Sequence, residues 1–320
     1  MGMEQMFKLM NEARLLVGLQ GLAGASAAMQ NAWAYANERT QGPSSTDPTK
    51  KASIIEFPDV RRMLMHMKAV TEGLRALMYT TAWYIDMANH GPKENREKYQ
   101  DLLDLHIPIC KAFGTDQGFD VARTGIQVLG GVGFTKHFPL EQNIRDQKIG
   151  SIYEGTNGIQ ALDLVGRKFT FKKGQLIKVL EKELCWFDTR SLEGELNSWV
   201  AEWYNYRDLM IESIDCMSKL GETKGKDGYV LYATNMLDLM GDVLCCFYLL
   251  KQAETAQTKW NELSTQKDSQ EELLANNNEA QFYWNKLRTV EYYVWSVLPR
   301  SLSNAKIIKN ANLSPLNACL

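Results

Sequence analysis

The sequence is poor in the arrangements that hold metals. Its four histidines, His66, His90, His106 and His137, never stand at His-x-x-x-His spacing, and its six cysteines, Cys110, Cys185, Cys216, Cys245, Cys246 and Cys319, include no Cys-x-x-Cys. A zinc or iron site therefore has no support. The cysteines lie in apolar or mixed helical stretches and read as buried free thiols. Neither a Gly-x-Ser-x-Gly elbow nor a Gly-x-x-x-x-Gly-Lys loop occurs, which argues against an α/β-hydrolase nucleophile and a P-loop phosphate cradle. No stretch of about 18 uninterrupted apolar residues is present. Residues Met1 to Met6 lack the charged and apolar zones of a signal peptide, and position 6, where myristoylation needs Ser or Thr, is Met. With 36 basic and 38 acidic side chains the net charge is -2. Such a balance creates no global field for nucleic acid or an anionic membrane, so any anion must be gripped locally. The expectation is a soluble, cytoplasmic protein with neither partner and no membrane span.

What is present is helix. The chain has 320 residues and 45% hydrophobic content, enough for one large or two medium domains with a real core. From Met6 to Asn37 it is rich in Ala, Leu, Met and Gln without proline, as a long packed helix requires. Gly18, Gly21 and Gly24 recur along it. Each weakens an isolated helix by up to about 1 kcal/mol relative to alanine, so a closely packed neighbour is their expected reason. Gln41 to Lys51 reads as a loop. Pro58-Asp59 then opens a second helix whose Val60, Leu64, Met67, Leu74, Met78 and Ile85 share one face. Asn89 to Asn95 breaks it. A third helix runs from about Tyr99 to Leu129, burying Ile109, Phe113, Phe119, Ala122, Ile126 and Leu129, with Pro108 predicting a kink or split. Gly130 should stop this helix in the left-handed conformation.

Shorter helices are predicted at Leu140 to Asp146 and at about Asn157 to Lys168. Further helices follow at roughly Lys173 to Cys185, Ser191 to Leu220, Tyr229 to Ala256 and Glu271 to Ile308. Gly221 to Gly228 and a polar segment around Thr258 to Gln270 separate the last three. No strand alternation of convincing length appears. Trp186, Trp199, Trp203, Trp260, Trp284 and Trp295 concentrate in this second half and read as core. The fold class is all-α: an up-down helical bundle over residues 4–168 and a helical extension over 170–320, with the best single cut near 170.

Special residues crowd into the stretch from Gln127 to Gln160. It contains a glycine-broken connection, Gly130-Gly131-Val132-Gly133, the pair Arg145-Asp146, and the run Ile152-Tyr-Glu-Gly-Thr-Asn-Gly-Ile-Gln160. Glu154 is a lone carboxylate between bulky Ile152 and Tyr153 and the small Gly155. A carboxylate in apolar company loses hydration, and its pKa and strength as a base rise, so we expect Glu154 to be desolvated. The ordinary alternative is a solvated carboxylate near a helix N-terminus.

These residues, Gln127 to Phe134, Glu141, Arg145-Asp146 and Ile152 to Gln160, resemble the C-terminal helical domain of the FAD-dependent acyl-CoA dehydrogenases. The resemblance covers about residues 4–168 and includes Arg14 and Glu38-Arg39. The run Asn157 to Arg167 and the long extension look most like the branch containing 3-methylmercaptopropionyl-CoA dehydrogenase. The implied activity is α,β-dehydrogenation of an acyl-CoA in fatty acid metabolism: a carboxylate removes the α-proton of the thioester and the β-hydrogen leaves as hydride to the flavin. The matching carboxylate is Glu154. Some relatives seat the base on the first helix, at a position matching Ala13. Alanine cannot serve and Glu12 is only its neighbour.

By the same resemblance Arg39 would contact the FAD pyrophosphate, and Gln127 with the Gly130-Gly131 backbone the adenine-ribose part of a cofactor reaching across from a neighbouring subunit. Thr156 would border the flavin. Asn11 and Arg14 match positions that hold the acyl-CoA, with Tyr153 and Gly155 beside the base. Gly158 replaces a polar residue of several relatives. The implied partners are an electron-transfer flavoprotein or similar acceptor and further copies of the chain in a homodimer or homotetramer, for which the Gly18, Gly21, Gly24 face is a candidate contact. The family's helical domain and β-domain, which precede this one, are not matched within these residues. Alone they are expected to bind FAD weakly and turn over little, a complementary chain supplying the remainder. The alternative function is a non-catalytic helical association module.

Overall fold

The structure, a computed structural model, describes residues 2–45, 47–264 and 269–319. Thr46 of the predicted loop, residues 265–268 of the predicted polar segment, Leu320 at the end of the predicted extension, and Met1 lie outside these. The chain forms two compact units, one of Met1–Trp83 with His106–Gln160, the other of Tyr84–Leu105 with Ala161–Leu320.

Helix α1 (Gly2–Glu38) leads into a short antiparallel hairpin, β1 (Thr40–Pro43) and β2 (Lys51–Ser53), with Thr40 opposite Ser53 and Pro43 opposite Lys51. This hairpin lies in the stretch read as loop. It is too short to show alternation, and its ends are fixed by side chains: Glu56 accepts from the Ser44 hydroxyl (2.7 Å) and from the Ser53 backbone N–H (3.1 Å). Then come α2 (Pro58–His90), α3 (Arg96–Leu129), α4 (Leu140–Lys148) and α5 (Asn157–Asp163). Leu64, Met67, Leu74 and Met78 are buried as expected, while Val60 and Ile85 are half-buried. Likewise Ile109, Phe113, Ala122 and Leu129 are buried, and Phe119 and Ile126 half-buried. Of the kink or split expected at Pro108, the split does not occur: α3 continues through it as one helix. The lost hydrogen bond and ring clash cost about 3 kcal/mol; burial of Leu105, Ile107, Ile109 and Cys110 on either side holds the helix together. Gly130 ends it at φ +65°, the left-handed stop that the sequence predicts.

The glycines of α1 are spent inside the first unit. A Cβ on Gly18 would stand 2.4 Å from the Cys110 carbonyl oxygen, and one on Gly21 2.4 Å from that of Gly114. Reciprocally, a Cβ on Gly118 would stand 2.4 Å from the Gly21 carbonyl oxygen. Backbone meets backbone where α1 crosses α3, and nothing larger than hydrogen fits. Gly24 faces the Gln147 side chain. The glycine face is therefore an intrachain contact and offers no surface to a second copy. Helix α4 is tied to the same place by Asn143 Nδ2, which donates to the Gly24 carbonyl (3.0 Å).

In the second unit, α6 (Gln175–Glu183), α7 (Glu195–Val230), α8 (Ala233–Ser264), α9 (Gln270–Asn276), α10 (Asn278–Tyr292), α11 (Ser301–Asn310) and α12 (Ser314–Asn317) follow a π-helical turn at Leu164–Lys168. Helix α8 is the core, with α7, α10 and α11 packed around it. It is the one described helix long and apolar enough to cross a membrane by length and composition, and 83% of its most apolar window is buried in the protein, as a helix apolar all round requires. Asp242 within it is buried and accepts from Arg300 Nε (2.8 Å). Gly221 to Gly228 separates two helical stretches as expected, the break falling at Gly225 (φ +70°) inside α7. The predicted last helix is split at Asn277, which caps α10 through Glu279 N and Ala280 N, and again by a π-turn at Tyr293–Val297. Trp199, Trp203 and Trp260 are core residues; Trp186 and Trp295 are exposed. Cys110, Cys245 and Cys246 are buried, Cys216 is half-buried, and Cys185 and Cys319 are exposed, against the expectation that all are buried.

Gly21→Ala should lower stability by about 2 kcal/mol, because the methyl must displace a backbone carbonyl rather than a side chain. Gly158→Ala, where a Cβ would meet only Thr156 Oγ1 at an unstrained 3.8 Å, should leave stability within about 0.5 kcal/mol of the parent. Urea unfolding followed by circular dichroism checks both, and equal midpoints for the two variants would refute the close crossing.

Candidate functional site

After α4 the chain makes a 3-10 turn, with the Ile152 and Tyr153 N–H groups donating to the Ile149 carbonyl at 2.9 and 3.1 Å. It then reverses through two left-handed residues, Glu154 (φ +55°) and Gly155 (φ +82°), before α5 begins at Asn157. Among the described residues of the first unit, Glu154 is the one non-glycine with positive φ. A side chain there costs about 1–2 kcal/mol, so the surroundings must hold it. They do so from three sides. Gln160 Nε2 donates to the Glu154 and Gly155 carbonyls at 3.4 and 3.3 Å. The Tyr153 hydroxyl donates to Gln20 on α1. Asn157 is fastened to α3: its Oδ1 accepts from Lys111 Nζ (2.8 Å), and its Nδ2 donates to Thr115 Oγ1 (3.0 Å) and the Ala112 carbonyl (3.2 Å).

The structure gathers the residues singled out for the acyl-CoA around this turn. Arg14 is only 5% exposed. Its Nη1 donates to Asn11 Oδ1 (3.4 Å), and its Nη2 would stand 3.9 Å from a Cβ on Gly155. Lys111 is fully buried. Burial pushes its pKa down to about 8, the Arg14 charge adding to the effect while Asp116 and Glu154 oppose it. Burial also raises the Asp116 carboxyl above its ordinary value, opposed by its hydrogen bond from Asn157.

Glu154 itself is exposed, which corrects the expectation of a desolvated carboxylate. Apolar neighbours in sequence dry a group only when they pack against it. Here the turn lies at the surface, and Ile152 is itself 54% exposed.

The residues singled out for the cofactor fall in two places. Arg39, Gln127, Gly130 and Gly131 line one groove of about 680 Å³ with Tyr35, Phe57 and Val132. Nothing lies within 4 Å of where a Cβ on Gly130 or Gly131 would stand. Bare backbone beside an exposed arginine suits a nucleotide phosphate, which needs a close approach and a bidentate cation. The residues present therefore fit part of a dinucleotide. Thr156 is not part of this groove; its Oγ1 accepts from Ile159 N (3.3 Å) at the start of α5, beside Glu154. An adjoining cavity of about 350 Å³ shares Gln127 and carries Arg62, His66 and Arg123, a basic patch that sequence reasoning missed. It also missed Lys111, although a single lysine within Ile107-Pro-Ile-Cys-Lys-Ala-Phe113 was a visible signal.

Comparison with known proteins places these features in context. Residues 1–169 match the family model described as acyl-CoA dehydrogenase, C-terminal domain, and residues 192–318 match one described as acetyl-CoA dehydrogenase C-terminal like. The chain is 34% identical over 318 residues to a butyryl-CoA dehydrogenase of Syntrophomonas wolfei, covering 99% of this chain and 50% of that protein. It is 33% identical over 326 residues to the 3-methylmercaptopropionyl-CoA dehydrogenase of Ruegeria pomeroyi, covering 100% of this chain and 52% of that protein. The chain thus spans about half the length of these curated relatives. An acyl-CoA dehydrogenase of Bacillus anthracis solved with FAD superposes with a TM-score of 0.62 at 21% identity, covering 94% of this chain and 52% of that one; the likeness is one of fold.

The buried lysine makes a pH prediction. Between its folded value of about 8 and its ordinary value near 10.4, the unfolded chain holds a proton that the folded chain has lost. Stability should therefore rise with pH across this window. Relative to Lys111→Met, the parent should gain about 1–3 kcal/mol between pH 8 and pH 10. An unchanged stability difference between the parent and Lys111→Met at the two pH values, measured by denaturant titration, would contradict a depressed lysine.

Proposed function

The chain belongs to the acyl-CoA dehydrogenase family, and from that premise we propose that it carries the base and part of the cofactor cradle for α,β-dehydrogenation of an acyl-CoA thioester. The observation that carries this reading is Glu154 held in a left-handed conformation, at surface exposure, beside buried Arg14 and within the family-matched segment. Strain of this kind persists where a side chain has to be presented in one direction. In this reading the Glu154 carboxylate takes the proton from the carbon next to the thioester carbonyl. That carbon acid is weak, so the base works only when water is displaced from it. Substrate and cofactor settling over the exposed turn would supply the desolvation that this chain does not. Arg14, with Asn11, would position the CoA, and Tyr153 and Gly155 would border the acyl group.

FAD, when bound, supplies the acceptor for the hydride that leaves the β-carbon. Arg39 would grip its pyrophosphate, and Gln127 with the Gly130-Gly131 backbone would hold the adenosine portion across a subunit boundary. Thr156 would border the flavin. The two separate locations of these residues suit a cofactor shared between copies, and a homodimer or homotetramer follows as part of the proposal. Electrons would pass on to an electron-transfer flavoprotein or similar acceptor. These residues alone would bind FAD weakly and turn over little, since an incomplete pocket leaves polar groups unpaired.

A second reading, a helical association module without chemistry, is favoured by one observation. Phe134 (83% exposed), Val132, Ile149, Ile152 and Ile159 leave apolar surface uncovered around the same segment, as interaction sites do.

Glu154→Gln in the FAD-loaded assembly should lower kcat by about 10²–10⁴-fold, the ordinary contribution of a general base, with FAD retained. Parent-level turnover would sink the base assignment, and turnover absent from both proteins in an intact assembly would favour the second reading. Arg39→Ala should weaken FAD binding about tenfold or more in an equilibrium titration, in keeping with the loss of a charge-assisted phosphate contact.

A further inference from the structure

We propose that Lys111 and Asn157 form a positioning device for the base: the hydrogen bond from Lys111 Nζ to Asn157 Oδ1, 2.8 Å long, clamps the start of α5 onto α3 and so fixes the left-handed pair Glu154-Gly155. The inference rests on the reading of Glu154 as base and adds residues that never touch the substrate. Lys111 occupies a place where an apolar side chain would pack without penalty: it is fully buried, and Ile109, Cys110, Ala112 and Phe113 around it in the helix are buried too. Taking an ammonium out of water is costly unless its donors are met. One of the three Lys111 donors is met by the Asn157 amide oxygen.

Asn157 is not needed to cap its helix. Thr156 Oγ1 already accepts from Ile159 N at the start of α5 (3.3 Å). The Asn157 side chain instead closes a ring on α3: Nδ2 donates to Thr115 Oγ1 (3.0 Å) and to the Ala112 carbonyl (3.2 Å), and Thr115 Oγ1 donates to the Lys111 carbonyl (2.9 Å). Only Gly155 and Thr156 separate this ring from Glu154. On the far side Gln160, fully buried, donates to the carbonyls of Glu154 and Gly155. The two left-handed residues are thus bracketed by a lysine–asparagine bond below and a glutamine amide beside. The charged groups that bear on Lys111 are Arg14 from α1, Asp116 from its own helix, and Glu154 from the turn. The same lysine therefore supports the turn's backbone and senses its carboxylate.

Two variants, Lys111→Met and Asn157→Ala, test the clamp from opposite ends, so that one remains informative if the other does not fold. Amide hydrogen exchange on the full chain at neutral pH should be at least tenfold faster across residues 151–160 in each variant. Residues 119–129 of α3 should stay within twofold of the parent. Unchanged exchange over 151–160 would overturn the proposal whether or not the protein turns over substrate. In the FAD-loaded assembly kcat should fall at least tenfold with KM within threefold, and the kinetic isotope effect with α-deuterated acyl-CoA should increase as proton removal becomes limiting. A loosened turn with parent kcat and parent isotope effect would overturn the positioning role. If Glu154→Gln also leaves turnover intact, the base assignment itself has failed, and hydrogen exchange over 151–160 then decides by itself whether the clamp exists.

Discussion

The close crossing of α1 and α3 is the constraint on which the rest of the first unit depends. Gly18 and Gly21 on one helix meet the backbone of Cys110, Gly114 and Gly118 on the other, and this contact has only one register because any shift would bring a Cβ against a carbonyl. Arg14 lies one helical turn before Gly18, and Lys111 directly follows Cys110. The crossing therefore sets the two cations about one helical turn apart along the bundle, near the turn that carries Glu154. Packing of this kind also explains why α1 tolerates glycines that would weaken it in isolation: dispersion between tightly apposed backbones, together with Cα–H contacts to carbonyls, offsets the lost propensity.

Much of this organisation was legible in the sequence because it is local. The long helices declare themselves through composition and three-to-four spacing, and Gly130 announces the end of α3 by supplying the backbone freedom that the stop requires. Arg39, Gln127, Gly130 and Gly131, which the resemblance singled out, line one groove, and Arg14, bonded to Asn11, lies beside Gly155. What the sequence concealed is tertiary. Flanking Ile152 and Tyr153 suggested a dry carboxylate, yet their side chains are partly exposed themselves and cover nothing. The glycine triplet demanded a close neighbour but could not say that the neighbour was α3 rather than another subunit. Pro108 suggested a split that burial on both sides prevented in α3, whereas the Gly221 to Gly228 run does break the helical course, at Gly225. Lys111 passed unnoticed because a lysine in an apolar run is usually an exposed one, and only the position of Asn157 gives it a purpose.

The second unit obeys different rules. Its central helix, α8, is buried from Met236 to Leu250 with hardly a gap, so its orientation cannot be set by an apolar stripe. Directional contacts do that instead. Asp242 is held by Arg300, and the Trp203 indole N–H donates to the Val243 carbonyl (3.1 Å). Trp203 and Phe247 stack at 5.2 Å between centroids. Buried polar pairs add little net stability but penalise alternative registers, and a helix apolar on every side is where such a penalty is most useful.

The noncontiguous composition of both units has a bearing on biosynthesis. Residues 84–105 belong to a body whose other members begin at 161, so when this stretch leaves the ribosome its partners do not yet exist. It must wait, helical but unsatisfied, while residues 106–160 and then the second body's remaining helices are translated, and a nascent chain in that interval offers chaperones an unfinished surface. For the same reason limited proteolysis near residue 170 would separate interleaved pieces rather than liberate two self-sufficient ones.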